Sequence, residues 1–164
     1  MKTVLMMILL MTASCQQKSP SKPSQPKPNP TVGEVDQKLS QMPKHRLFKE
    51  EWRKFLFEEI PKHKKLMQHN KSVKFWMATF MAMVETESWF RPQHRYVESG
   101  LGKDLVTGKQ NTSEGLLQLS YQDAAIHGCD FDWSKDKNLG DKDKNKTIFD
   151  PIKNLACGLK IMGN

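Results

Sequence analysis

Two glutamates near the middle of the chain, Glu85 and Glu87, lie at the end of an apolar run, and their spacing gives them different surroundings. On a helical wheel, Val73, Trp76, Met77, Met83 and Val84 fall within roughly 60° of Phe80. Glu87 falls about 20° from the centre of that stripe and Glu85 about 140° away, on the polar side. A carboxyl among apolar side chains loses hydration, which favours its neutral form. That is the form a general acid needs before it protonates a leaving group. The same position also suits a carboxylate at a fraying helix end that reaches water, and periodicity leaves both readings open.

Other patterns carry less chemistry. The five histidines are scattered and no His-Glu-x-x-His is present, so a catalytic zinc site is not expected. Asp141, Asp143 and Asn145 resemble the start of a calcium loop, but Lys146 stands where glycine is needed and Ile152 where glutamate is needed. No glycine-rich phosphate loop is present, and neither a metal nor a cofactor is expected.

The elements that must position Glu87 are legible as helices. Leu47, Phe48, Trp52, Phe55, Leu56 and Phe57 predict a first helix from about Lys44 to Ile60, ended by Pro61. A second runs from Ser72, a plausible N-cap, to about Ser88, with Pro92 beyond it. Arg91 to Asn111 reads as loop or short hairpin. Ser113 to Ile126 reads as a third helix, with Leu116, Leu117 and Leu119 near its start. Asp132 to Lys146 reads as a solvated loop. Asp150-Pro151 opens a last helix carrying Ile152, Leu155, Leu159 and Met162.

The words around these elements add a family. Glu87-Ser88-Trp89-Phe90-Arg91-Pro92 resembles the Glu-Ser-x-Phe-x-Pro motif of soluble lytic transglycosylases, relatives of goose-type lysozymes. Gly115-Leu116-Leu117-Gln118, followed by Asp123-Ala124-Ala125, resembles that family's Gly-Leu-Met-Gln motif. Ile148-Phe149-Asp150-Pro151, then Asn154-Leu155 and Gly158, resembles its third motif. The resemblance spans about Lys74 to Met162. It implies a mainly α, lysozyme-like domain that cleaves peptidoglycan between N-acetylmuramic acid and N-acetylglucosamine. Glu87 would be the single acid/base, without the second carboxylate of most glycosidases, and the product would be a 1,6-anhydro sugar.

The resemblance also implies binding roles. Ser88 would hydrogen-bond near the cleft, or serve only as a polar helix end. Gln118 would contact substrate, and Leu117 would stand at the motif's methionine position. Gly115 would permit close backbone approach, or merely start a helix. Tyr121 and Trp89 are candidate sugar-stacking rings, or core. The family's fourth motif, with its tyrosine, has no counterpart before Asn164. The interval from Glu87 to Gly115 is longer than usual, and Gln93 to Thr112 reads as a specificity insertion over the cleft. Two alternatives stay open: a lysozyme-type hydrolase of peptidoglycan or its deacetylated form, and a non-catalytic cell-wall-binding lipoprotein.

Composition supplies the setting. The 164 residues carry a formal charge of +8, which favours anionic partners. Lys2, the apolar run Val4 to Leu10 and small residues before Cys15 read as a signal peptide over 1–14, too short to span a membrane. Cys15 is then expected to carry lipid, anchoring the chain to a membrane that faces the periplasm, most simply the outer membrane. Residues 15–36 read as a Pro/Ser/Lys-rich tether and 37–164 as the folded domain. Lipidated Cys15 leaves Cys129 and Cys157 as an even pair that an oxidising compartment would let bond, with two buried thiols as the alternative. Export and the lack of a recognition motif argue against nucleic acid. The expected partners are glycan strands and, through the anchor, a membrane.

Overall fold

The computed structural model describes residues 32–68 and 72–164. The expected signal peptide, Cys15 and most of the tether lie outside these residues. The described chain is mainly helical. Its helices are α1 (Val32–Ser40), α2 (Glu50–Glu59), α3 (Lys64–Gln68), α4 (Val73–Ser88), α5 (Tyr121–His127), α6 (Trp133–Asp136) and α7 (Pro151–Gly163). Short 3-10 turns cover Ile60–Lys62 and Thr147–Phe149. The strands β1 (Arg95–Val97) and β2 (Thr112–Glu114) pair antiparallel, with Tyr96 opposite Ser113 and Arg95 opposite Glu114.

Two helix starts follow the capping logic of the sequence. Ser72 accepts from the Phe75 amide at 3.2 Å, and Asp150 accepts from Ile152 and Lys153 at 2.9 and 3.0 Å with Pro151 in the first turn. The core lies where α2, α4 and α7 meet, with Trp52, Leu56, Phe80, Val84, Leu155 and Leu159 buried in it. Gly158 makes the α4–α7 approach possible. A Cβ there would collide with Leu117 and come within 3.2 Å of Phe80.

Three element expectations need correction. Helix α1 begins at Val32, ahead of the expected domain start at Gln37. Buried Arg53 docks its end by donating to the Leu39 and Pro43 carbonyls at 2.8 and 2.9 Å. The first predicted helix starts at Glu50 rather than Lys44, after a run of turns. The predicted helix from Ser113 splits into β2, a tight turn and α5. Gly115 and Gln118 take φ of 85° and 50°, in the left-handed region that no helix tolerates in its interior. The new start is a capping box, Ser120 with Asp123.

The segment from Asp132 to Lys146 is mostly exposed, as expected, but two of its charged residues are buried. Asp136 is fully buried and its Oδ2 accepts from the Tyr121 hydroxyl and the Thr147 amide at 2.8 and 2.7 Å. Lys146 is buried against Glu114 at 3.4 Å. The expected disulfide is present. Cys129, after α5, bonds Cys157 on α7, and their Cα atoms are 5.1 Å apart. Among the described residues no helix is long and apolar enough to cross a membrane.

Candidate active site

The last turn of α4 carries Glu87 to the edge of an open groove of about 260 Å³, which it lines with His94, Tyr96, Glu98, Ser113 and Gln118. Its surroundings differ from those read off the wheel. Glu87 is exposed. The buried residues of α4 are Met77, Phe80, Met81, Val84 and Ser88. Their stripe is centred roughly 55° round from Phe80, which leaves Glu87 roughly 75° off centre, at the margin between core and solvent. The apolar setting expected for its carboxyl is therefore absent. Glu85 is also exposed but does not line this groove.

Beyond Ser88 the backbone leaves the helix by two consecutive non-glycine residues at positive φ, Trp89 at 53° and Phe90 at 60°. Each costs about 1–3 kcal/mol and persists only because its surroundings hold it. Phe90 is held firmly. Its ring is buried, stacks on His45 at 4.3 Å and meets Phe48 edge-on at 6.2 Å. Strain at this point turns the chain sharply towards β1, so that the hairpin faces the residue just before the turn.

The hairpin divides its side chains between two faces, as strand alternation demands. Tyr96, Ser113 and Glu98 line the groove, whereas Arg95 and Glu114 point to the opposite side. There Glu114 is buried, with Arg95 Nε at 3.0 Å and Lys146 Nζ at 3.4 Å. Arg95 also reaches Asp141 at 3.6 Å. This ion cluster ties the hairpin to the segment before α7. Breaking such a buried pair typically costs about 3–5 kcal/mol. Glu98 is placed from both directions. Its amide donates to Asn111 at 2.9 Å, its carbonyl accepts from Gln110 at 2.8 Å, and its carboxylate accepts from the Ser113 hydroxyl at 2.6 Å. The long loop between the strands is anchored by buried Asp104, which accepts from the Val106, Thr107 and Gln122 amides at 2.8 to 2.9 Å.

Gln118 lines the same groove as Glu87. Its amide nitrogen donates to Gly115 and His94 carbonyls at 2.8 and 3.2 Å, which fixes the side chain. The other binding residues read from the sequence serve the scaffold. Ser88 is fully buried and donates to its own helix, to the Val84 carbonyl at 2.9 Å, so it does not line the groove. Leu117 is buried against Gly158, and its amide donates to Asn154 Oδ1 at 2.8 Å. Gly115 does permit a close approach, but by protein. A Cβ there would meet the Asn154 side chain and the Ile148 carbonyl. Tyr121 is buried with Ile148 and Phe149, where desolvation and its hydrogen bond to Asp136 push the phenol well above its ordinary value. It cannot stack on a sugar. Trp89 is 69% exposed, two positions after Glu87, but its side chain does not line the groove.

Sequence reasoning missed His94, Tyr96, Glu98 and Ser113. The available signal was the alternation in Arg95-Tyr96-Val97-Glu98, a period of two inside a stretch read only as loop or short hairpin. As to metals, the described residues hold no cluster of three or more His, Cys, Asp or Glu side chains arranged to bind one.

No known protein-family profile matches the sequence, and no curated protein matches it. Solved structures do match. They include DslA, a Bdellovibrio protein, in a wild-type form (24% identity, TM-score 0.55) and in two glutamate-to-glutamine forms (24% and 23%, TM-scores 0.56 and 0.53). Each match covers 71% of this chain and 66% of the other, so this chain spans just under two thirds of DslA. Likeness at this level shows a shared fold.

Proposed function

We propose that this protein is a lysozyme-like glycosidase of peptidoglycan, with Glu87 as the acid that protonates the glycosidic oxygen. The observation that carries the proposal is the convergence of Glu87, Gln118 and Glu98 on one open groove from three separate elements. A glycan seated in this open groove would displace water from the Glu87 carboxyl. Water exclusion favours the neutral acid. The three sequence motifs converge on the same assignment. The bond cleaved is then the one between N-acetylmuramic acid and N-acetylglucosamine.

The family resemblance points to a transglycosylase with one carboxylate and an anhydro product. Glu98 favours hydrolysis instead. A second carboxylate in the groove can orient and deprotonate a water, or stabilise the cationic sugar. The two DslA forms replace glutamates eleven positions apart, which is also the spacing from Glu87 to Glu98. In this reading Glu87 gives its proton to the leaving oxygen. Water then adds to the sugar C1, and its proton passes to a carboxylate.

Mass spectrometry of the soluble fragments released from purified sacculi tests the choice. Hydrolysis gives fragments one water heavier than the anhydro products. Anhydro ends would return the reaction to the single-carboxylate route. Complete absence of soluble fragments would favour a non-catalytic wall-binding protein.

The location is proposed on the sequence alone. Cys15 after a short apolar run would be acylated, leaving a Pro/Ser/Lys-rich tether to carry the domain from the membrane to the wall. Gln16 rather than Asp after the cysteine fits delivery to an outer membrane. Labelled palmitate is expected in the wild type and not in Cys15→Ser. Equal labelling of the two would end the proposal.

A further inference from the structure

His94 forms one wall of the Glu87 groove. That side chain also lines a neighbouring bay of about 450 Å³, whose remaining walls are Phe90, Arg91, Pro92, Gln93, Arg95 and Lys142. The two share His94 but differ in charge. The groove carries two carboxylates, and the lining of the bay carries three permanent cations and no carboxylate.

The three cations are not equivalent. Arg95 is committed to Glu114 and Asp141. Arg91 is exposed, and among the described residues its guanidinium has one partner, the Ser88 carbonyl, reached by Nε at 3.3 Å. Its two terminal nitrogens are left to bind. That single bond also holds the guanidinium to the end of α4, next to the residue that follows Glu87. Lys142 is exposed and has no ion-pair partner among the described residues, although Asp141 precedes it.

We infer that this bay is a subsite for the carboxylates of the stem peptide that branches from each muramic acid. The inference rests on the reading of the groove as a glycan-strand site. In an intact strand the lactyl carboxyl of each muramic acid is taken up in the amide bond to its peptide, so the sugar backbone carries no anion of its own. Its peptide branches carry carboxylates at regular intervals, a short way to the side of the strand. A strand laid past Glu87 thus needs neutral contacts in the groove and cationic contacts beside it. Arg91 offers a planar fork for a carboxylate, and Lys142 a second point charge. Pro92 supplies an apolar edge against which a short peptide can lie. The protein would then select strands that still carry their peptides over stripped glycan.

The experiment compares one set of soluble glycan strands before and after an amidase has removed the stem peptides, with the lactyl carboxyls that the amidase frees capped as methylamides so that the stripped strand carries no anion. Wild-type protein is expected to show a KM about tenfold lower on peptide-bearing strands, the size of one charge-assisted hydrogen bond. Arg91→Gln and Lys142→Gln should each lose most of that advantage, with kcat and the KM on stripped strands unchanged. Arg91→Lys should retain part of it. Lys54→Gln, an exposed charge on α2, should behave as wild type. Equal KM on both strands in the wild type would overturn the subsite, as would variants that raise both KM values alike. Calorimetry with a free stem tetrapeptide reads the bay without turnover. Binding weakened by Lys142→Gln in a protein that cleaves neither strand would uphold the subsite and remove the glycosidase. No peptide binding together with cleavage of both strands at equal KM would do the reverse. High salt should abolish the peptide preference, and a preference that survives it would contradict a charge-based subsite.

Discussion

Glu87→Gln is expected to lower the release of muropeptides from purified sacculi by about 10²–10⁴-fold, the usual contribution of a positioned general acid. Glutamine keeps the shape of the side chain and its ability to hydrogen-bond, but it has no proton to give. Folding should be untouched, since Glu87 is exposed and has no buried partner among the described residues. Circular dichroism and the melting temperature check that point. Glu98→Gln separates the two reaction routes. If Glu98 activates water, its replacement should also cost orders of magnitude in kcat. If the reaction runs on one carboxylate, Glu98→Gln should change KM more than kcat. Glu85→Gln should leave the rate near wild type, because Glu85 lies outside the groove. Wild-type rates in Glu87→Gln would remove the residue from the chemistry.

Loss of the Cys129–Cys157 bond is expected to cost about 3.5 kcal/mol in the chain-entropy account of a cross-link closing a loop of this length. The separation is 28 residues. The bond ties the chain after α5 to the middle of α7, across a stretch with few regular elements, so the unbonded chain has much freedom to regain. For a domain of this size the melting temperature should fall by roughly 10 °C or more. Calorimetry of the Cys129→Ser/Cys157→Ser variant, and of the wild type under reductant, measures it. Neither cysteine lines the groove, so activity at low temperature should survive in the variant. Two free thiols in native oxidised protein would refute the bond.

The reading of α4 from sequence shows where periodicity is reliable and where it is not. The helix spans Val73–Ser88, almost the interval expected, because its cap and its apolar spacing are local properties. Its orientation is not local. The stripe that is buried depends on which neighbours press against it, and here α2, α7 and the Leu116–Leu117 turn rotate the buried face towards Met81 and Ser88. That rotation moved Glu87 from the core to its margin and moved Ser88 inward. The misread third helix has a similar origin. Leu116, Leu117 and Leu119 have helical spacing, but the backbone at Gly115 and Gln118 follows Asn154, whose side chain bonds the Leu117 amide and the Ile148 carbonyl. Asn154 lies 37 positions further on from Leu117, beyond the reach of any local pattern.

What the sequence determined by itself is what short-range interactions dictate. The starts of α4 and α7 came from side chains that accept amides two or three residues away. The mainly helical class came from apolar periodicity, and the pairing of Cys129 with Cys157 from simple parity. The candidacy of Glu87 and Gln118 came from motif words. The tertiary structure alone decided that Tyr121 is a buried donor to Asp136, that Gly115 yields to Asn154, and that Tyr96 and Glu98 face Glu87. The physical reason is range. A helix is closed by bonds four residues long, whereas the groove is walled by a hairpin that buried ion pairs hold from its other face, and their partners are set by long-range packing.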